Sequence, residues 1–300
     1  MNVDPRGTEA GVWSRPPWPT EALPGPVPGA ADVRVLVLAG YGLNCEAETA
    51  AGFSMCGAAA HVEHVADVIA RGDLGGAHIV VFGGGFSFGD HIASGRVFAN
   101  RVRYRLGDVL ARHVDDGGLV LGICNGFQTI VKLGLLPAVG RTPGEGLAPQ
   151  QASLVDNERL GYRNAWVRLV ADPHSPCVFT KAMTDGILEV PSRHGEGKLV
   201  LDPEAAAQVQ ADHLVPLRYA DAAGTPTETW PDNPNGSAHG FASLCDATGR
   251  VFGLMPHPEA YLYPHSHPRW IAQRQAGMLP ATGHGLGILS AGVRAVVSGG

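Results

Sequence analysis

Three hundred residues, 45% of them hydrophobic, can bury a substantial core as one large domain or two small ones. A net charge of −6 and a pI near 6.1 argue against a nucleic-acid binder, whose footprint would be basic. The chain has no apolar run long enough to span a bilayer and no apolar signal-peptide segment at its amino terminus. Its five cysteines, at 45, 56, 124, 177 and 245, are odd in number and form no CxxC pair, which predicts a reducing, cytoplasmic setting rather than a disulfide framework or a zinc site. The thirteen histidines include no HExxH pair, and prolines break the run His257, His265, His267, so no metal site is expected.

Residues 1–31 are rich in proline and glycine without apolar periodicity, as in Arg15-Pro16-Pro17-Trp18-Pro19, and read as a disordered extension; residues 32–300 read as the folded domain. Val33 to Ala39 is the first strand, ending in the loop Gly40 to Asn44. Asn44 is a candidate cap for a helix that carries Glu46 and Glu48 in its first turn and runs through Phe53 to Gly57. His61 to Val65 alternates like a strand, and Ala66 to Ala70 is helical. His78 to Phe82 is a third strand, halted by Gly83-Gly84-Gly85-Phe86-Ser87-Phe88-Gly89-Asp90. Val102, Leu106, Val109 and Leu110 mark an amphipathic helix ending near Gly117.

The organising stretch follows. Gly118 to Ile123 is short, aliphatic and preceded by the turn Asp116-Gly117, so it reads as a buried strand. Immediately after Cys124, Phe127, Ile130, Val131 and Gly134 fall on one helix face, with Gly134 as the C-cap and Pro137 beyond. Cys124 then occupies the sharp turn between strand and helix, the geometry of a nucleophile elbow. Helix N–H groups and dipole there favour a thiolate. A small buried cysteine at a strand end is the alternative.

Aliphatic strands alternating with helices imply an open, mostly parallel α/β sheet whose reactive groups gather at the strands' carboxyl ends. From about residue 150 the rhythm changes to β hairpins, with candidate strands at Ala165–Val170, Leu199–Leu201 and Leu214–Tyr219. Asp246 to Gly249 reads as a hairpin turn before Val251 to Met255, and a final helix spans Leu286 to Val297. His257 and Glu259, two apart at a strand end, point to one side in extended backbone and form the base-plus-orienter half of a triad. The glycines at 83–85 match neither phosphate-loop pattern. Backbone N–H groups of Gly85 and Asn125 are instead candidate oxyanion donors. Gln128, one turn after Cys124, is a candidate contact for a substrate amide or an exposed helix residue.

Ile123-Cys124-Asn125-Gly126-Phe127-Gln128, Gly84 to Asp90, His194-Gly195-Glu196-Gly197, Asn233-Pro234-Asn235-Gly236-Ser237 and Met255 to Glu259 occur in one order along the chain. Together they resemble the glutaminase subunit of phosphoribosylformylglycinamidine synthase, a class I (triad) glutamine amidotransferase with a flavodoxin-like fold. The resemblance covers roughly Val33 to Val297. It implies that Cys124 attacks the side-chain amide of glutamine, with His257 as base then acid and Glu259 as orienter, and it places His194 and Glu196 beside the substrate crevice or a subunit interface. It further implies a separate synthetase subunit that uses ATP and magnesium, a small accessory subunit, and no cofactor in this chain. The residues alone leave open a stand-alone cysteine amidohydrolase of the same fold, or a non-catalytic scaffold subunit, which would need none of the three triad residues.

Overall fold

The computed structural model describes residues 26–299 apart from 182, 184 and 185. In the first half, β1 (Arg34–Ala39), α1 (Glu46–Met55), β2 (Ala59–His64), α2 (Val65–Arg71), β3 (Ile79–Phe82), α3 (Arg96–Asp115), β4 (Leu119–Ile123) and α4 (Asn125–Leu133) alternate as their periodicities predict. Then come β5 (Ala152–Val155), β6 (Arg163–Ala171), β7 (Leu188–His194), β8 (Lys198–Leu201), α5 (Pro203–Ala211) and β9 (Leu217–Ala220). The chain closes with β10 (Ser243–Cys245), β11 (Val251–Leu254), α6 (Trp270–Gln275) and α7 (Gly285–Val297).

The central sheet runs β10-β11-β4-β3-β1-β2, parallel throughout except for the β10–β11 hairpin. Every residue of β3, β4 and β11 is buried, whereas the edge strand β2 is largely exposed. That contrast follows from helices covering both faces of the interior strands. On the flanks, α1 packs with α7, and α3 packs with α2 and α4. The apolar stripe Phe98, Val102, Leu106, Leu110 and Val114 drives α3 onto the sheet. No helix among the described residues is long and apolar enough to cross a membrane.

The second half supplies two small antiparallel units, β5–β8 and β7-β6-β9. The β7-β6-β9 unit is fastened to the main sheet at β10. Cys245 N–H donates to Leu214 C=O (2.9 Å), Ala242 N–H to Leu217 C=O (3.2 Å), and Leu217 N–H to Ser243 Oγ (2.8 Å). These bonds cover the edge that β10 would otherwise expose. Of residues 214–216, expected in a strand, Leu214 serves this contact, Pro216 C=O accepts from Asp172 N–H, and β9 begins at Leu217.

Other departures have local causes. The first helix starts with Cys45, not Asn44, at its N-cap position and has no side-chain cap; Asn44 Oδ1 instead accepts from Cys45 Sγ at 3.3 Å. Strand β7 carries Pro191 at its centre, which argues against a strand in the sequence. It nevertheless pairs with β6 in unbroken register as an edge strand, where proline is tolerated. Helix α5 does carry its start signal: Asp202 accepts from Ala205 N–H, and Pro203 sits in the first turn. Residues 26–31, assigned to the extension on composition, pack on the domain. Val27 is buried and its N–H reaches Cys56 C=O at 2.8 Å. Residues 1–25 of the expected extension lie outside the described residues.

One glycine sets how tightly the elbow closes. Gly126, in the first turn of α4, lies against the end of β3, where a Cβ would collide with the Phe82 carbonyl. That neighbour is backbone and cannot rotate away. Gly126→Ala is therefore expected to lose about 1–3 kcal/mol or more of stability, read as a lower urea midpoint than wild type; an unchanged midpoint would show that the elbow does not depend on this approach.

Candidate active site

Two parallel neighbours, β4 and β11, end side by side, with Ile123 opposite Leu254. Cys124 N–H extends the ladder by one bond to Leu254 C=O at 2.9 Å. Cys124 then turns at φ 51°, ψ −106°, a strained conformation for a residue with a side chain, and becomes the N-cap of α4. The sharp strand-to-helix turn that the sequence predicts at Cys124 is therefore present, the geometry that nucleophile elbows share. Its thiol is 6% exposed and donates to Arg193 C=O at 3.3 Å.

From the end of β11 the chain crosses to the antiparallel unit. Pro256 bridges to Ser192, and His257 N–H donates to Pro191 C=O at 2.7 Å. His257 and Glu259 are each 3% exposed, with Nδ1 and Oε1 2.5 Å apart. Their pairing has a different origin from the expected pleat: Pro258–Ala260 is a 3-10 turn, and that turn folds Glu259 back onto the imidazole. Burial works against an imidazolium at His257. The charges of Glu259 and Cys124, with hydrogen bonds that the protonated ring can donate to the Cys124 and Cys45 sulfurs, outweigh it and hold the pKa well above 6.5. The three predicted triad residues thus meet as one interacting group.

The triglycine loop follows β3 beside this group. Asn44 N–H donates to Gly84 C=O (3.1 Å) and Phe86 N–H to Gly42 C=O (2.9 Å), a clamp that does not use the Gly85 N–H. Gly85 has φ 141°, and a Cβ would stand 2.6 Å from Gly42 O. Asn125, as the first residue of α4, has no intrahelical acceptor for its own N–H. Its side chain ties the loops together: Oδ1 accepts from Ser87 N–H (3.3 Å), and Nδ2 donates to Asp90 Oδ1 and Gln128 Oε1, both at 3.0 Å.

The outer residues hold the frame. Gln128 is buried, not exposed, and both ends of its amide are engaged, since Nε2 also donates to Glu196 C=O at 2.6 Å. The Glu196 carboxylate accepts from Ser94 N–H at 3.1 Å. His194 is 2% exposed, with Nδ1 2.9 Å from Asn157 Oδ1. Burial, aided by the positive charge of His257, pushes His194 down to about 4, so it stays neutral at pH 7. Asn233, Asn235 and Ser237 are buried in an internal knot. Asn233 Nδ2 donates to Ser237 C=O, Ser237 Oγ to Asn235 Oδ1, and Asn235 Nδ2 to Tyr219 Oη.

Sequence reasoning missed Cys45, whose Sγ lies 3.9 Å from His257 Nδ1, and the Arg193 carbonyl. It also missed Tyr162, which interacts electrostatically with Cys124 and His257 and pairs with Phe86, the ring centroids 6.1 Å apart. Cys45 carried one signal: it follows β1 at the reversal of strand order, where such sheets build their sites.

The family model of the CobB/CobQ-like glutamine amidotransferase domain matches residues 32–287. The chain is 39% identical over 254 residues to the phosphoribosylformylglycinamidine synthase subunit PurQ of Methanococcus maripaludis, covering 82% of this chain and 91% of that protein. It is 36% identical over 263 residues to the subunit of the same name from Dehalococcoides mccartyi, covering 87% and 97%. The solved structure of PurLQS from Thermotoga maritima has the same fold, with a TM-score of 0.64 at 23% identity over 88% of this chain and 99% of that one. An intact cysteine elbow on this fold and similarity along nearly the whole described chain lead to one assignment: the chain belongs to the glutamine amidotransferase family, among the glutaminase subunits of phosphoribosylformylglycinamidine synthase.

Proposed function

We propose that this glutaminase works through Cys124, His257 and Glu259 on the side-chain amide of glutamine. His257 takes the Cys124 proton, and the thiolate attacks the amide carbon to give a tetrahedral oxyanion. The N–H groups of Gly85 and Asn125 stabilise that oxyanion, each worth roughly 2.7–4 kcal/mol of barrier. His257 then protonates the departing nitrogen and ammonia leaves a γ-glutamyl thioester. Water, deprotonated by the same imidazole, releases glutamate and restores the thiol. Glu259 orients the ring and stabilises its positive charge throughout. Gln128, Glu196 and His194 support the site by fixing the turn after β7 to α4.

The observation that carries this reading is the interaction of Cys124, on a strained elbow, with an imidazole whose protonated form Glu259 stabilises once the thiol proton has been taken. The chain supplies nucleophile, base and oxyanion donors itself, so it requires no cofactor for this half-reaction. The ammonia passes to a synthetase subunit, where ATP and magnesium drive conversion of formylglycinamide ribonucleotide to its amidine, with a small accessory subunit completing the assembly. The free cysteines suit a reducing compartment, and we place the reaction in the cytoplasm.

Assayed with the synthetase subunit, Cys124→Ala is expected to abolish glutamine-dependent amidine synthesis and retain synthesis from free ammonia. Persistent glutamine use would displace Cys124 as nucleophile. The isolated chain is expected to turn glutamine over slowly and to accelerate when the synthetase subunit is added; equal rates alone and in complex would instead favour a free-standing amidohydrolase.

The alkaline limb of glutaminase kcat/KM reports loss of the His257 proton, which must remain to be given to the leaving nitrogen. The Glu259 charge raises that pKa, so Glu259→Gln is expected to move the limb to lower pH by roughly 1–3 units. An unmoved limb would mean that the carboxylate does not tune the imidazole.

A further inference from the structure

We propose that Cys45, His257 and Glu259 form a binding site for a soft divalent cation, zinc above all, whose occupancy switches off the thiol chemistry. Among the described residues this is the one group of three such side chains whose ligand atoms converge, all lying within 4.8 Å of one another. Sulfur, imidazole nitrogen and carboxylate oxygen make a donor set suited to zinc, with a fourth position left to water. Cys45 Sγ and His257 Nδ1 are 3.9 Å apart. Bonds of about 2.3 Å to sulfur and about 2.0 Å to nitrogen close that gap at an angle of about 130° at the ion, roughly 20° wider than tetrahedral.

A second observation also points to a ligand. Glu259 is 3% exposed, and its Oε2 is buried without a hydrogen-bond partner among the described residues. An orphaned carboxylate oxygen beside a thiol and an imidazole is an acceptor that a cation would satisfy. Gly84 forms the wall: a Cβ there would stand 2.8 Å from His257 Cε1 and 3.2 Å from Cys45 Sγ, within the space between these ligands. Cys45 is partly exposed, unlike the other two, and offers the way in.

Charge and proton balance are simple. The entering dication displaces the thiol proton of Cys45 and the proton between His257 Nδ1 and Glu259, releasing two protons and leaving a neutral cluster. With metal on Nδ1, the other ring nitrogen carries its hydrogen and has no lone pair to accept the Cys124 proton. Binding stands on geometry alone; inhibition rests on the role proposed above for His257.

Cobalt(II) titrated into the full chain tests the site directly. Wild type and Cys124→Ser are expected to show a thiolate-to-cobalt charge-transfer band saturating at one equivalent, which zinc abolishes by competition. Cys45→Ser and Cys45→Ala, with unfolding midpoints checked against wild type, are expected to lose the band and to bind zinc at least about 10–100-fold more weakly. A band that survives in Cys45→Ser, vanishes in Cys124→Ser, or never forms overturns the site. Because Cys124→Ser lacks the nucleophile, this result holds whether or not the chain is a glutaminase. For the inhibitory half, zinc should block labelling of Cys124 by a glutamine-like electrophile, and Cys45→Ser should need at least tenfold more zinc for the same block. Equal zinc sensitivity of the two proteins overturns inhibition.

Discussion

A single backbone hydrogen bond, from Cys124 N–H to Leu254 C=O, joins the end of the strand that carries Cys124 to the end of the strand that leads to His257. It is the last rung of a parallel ladder in which Val120 pairs with Val251 and Ile123 with Leu254. A slip of one residue would reverse which face each side chain occupies. Cys124 and His257 would then no longer share a side of the sheet. Register between two strands far apart in the chain is therefore the constraint on which the meeting of Cys124 and His257 depends. It is held by apolar burial on both faces of β4 and β11.

Burial that secures the register also raises the electrostatic stakes. An imidazolium in a dry site is costly unless opposite charge lies close. Glu259 and Cys124 supply that charge for His257, and His194 nearby stays neutral, so two buried histidines are driven in opposite directions by their neighbours. The thiol of Cys45 sits inside the same field, within hydrogen-bonding reach of His257 Nδ1. The same buried site thereby holds a second sulfur and, among the described residues, an unpartnered carboxylate oxygen, the ingredients of the proposed cation site.

The antiparallel units of the second half are structural partners of this centre. In β7 the Pro191 carbonyl accepts from His257 N–H and the Arg193 carbonyl from the Cys124 thiol, so the strand braces both residues at once. The turn after it is pinned by Gln128 and Asn157. The buried Asn233–Ser237 knot bonds onward to Leu199 N–H in β8 and to Tyr219 in β9. Several motifs that mark the family are thus devices for holding loops in place.

The alternating strand–helix order, the elbow at Cys124 and the His257–Glu259 pair were readable from the sequence because each rests on local rules: aliphatic runs, helical spacing, glycines at a turn. Local rules read Glu259 correctly as a partner of His257 but assigned it to a pleat, when Pro258 starts a 3-10 turn. They read Gln128 as a contact for substrate or solvent, when packing of α4 against the turn after β7 buries its amide. Cys45, Arg193 and Tyr162 gave almost no local signal, since their relation to Cys124 exists only once β1, β7 and the loop before β6 converge. Residue type and short-range spacing decide which groups can react. Strand register and the docking of the second half decide which of them meet, because those depend on contacts between segments that the chain keeps far apart.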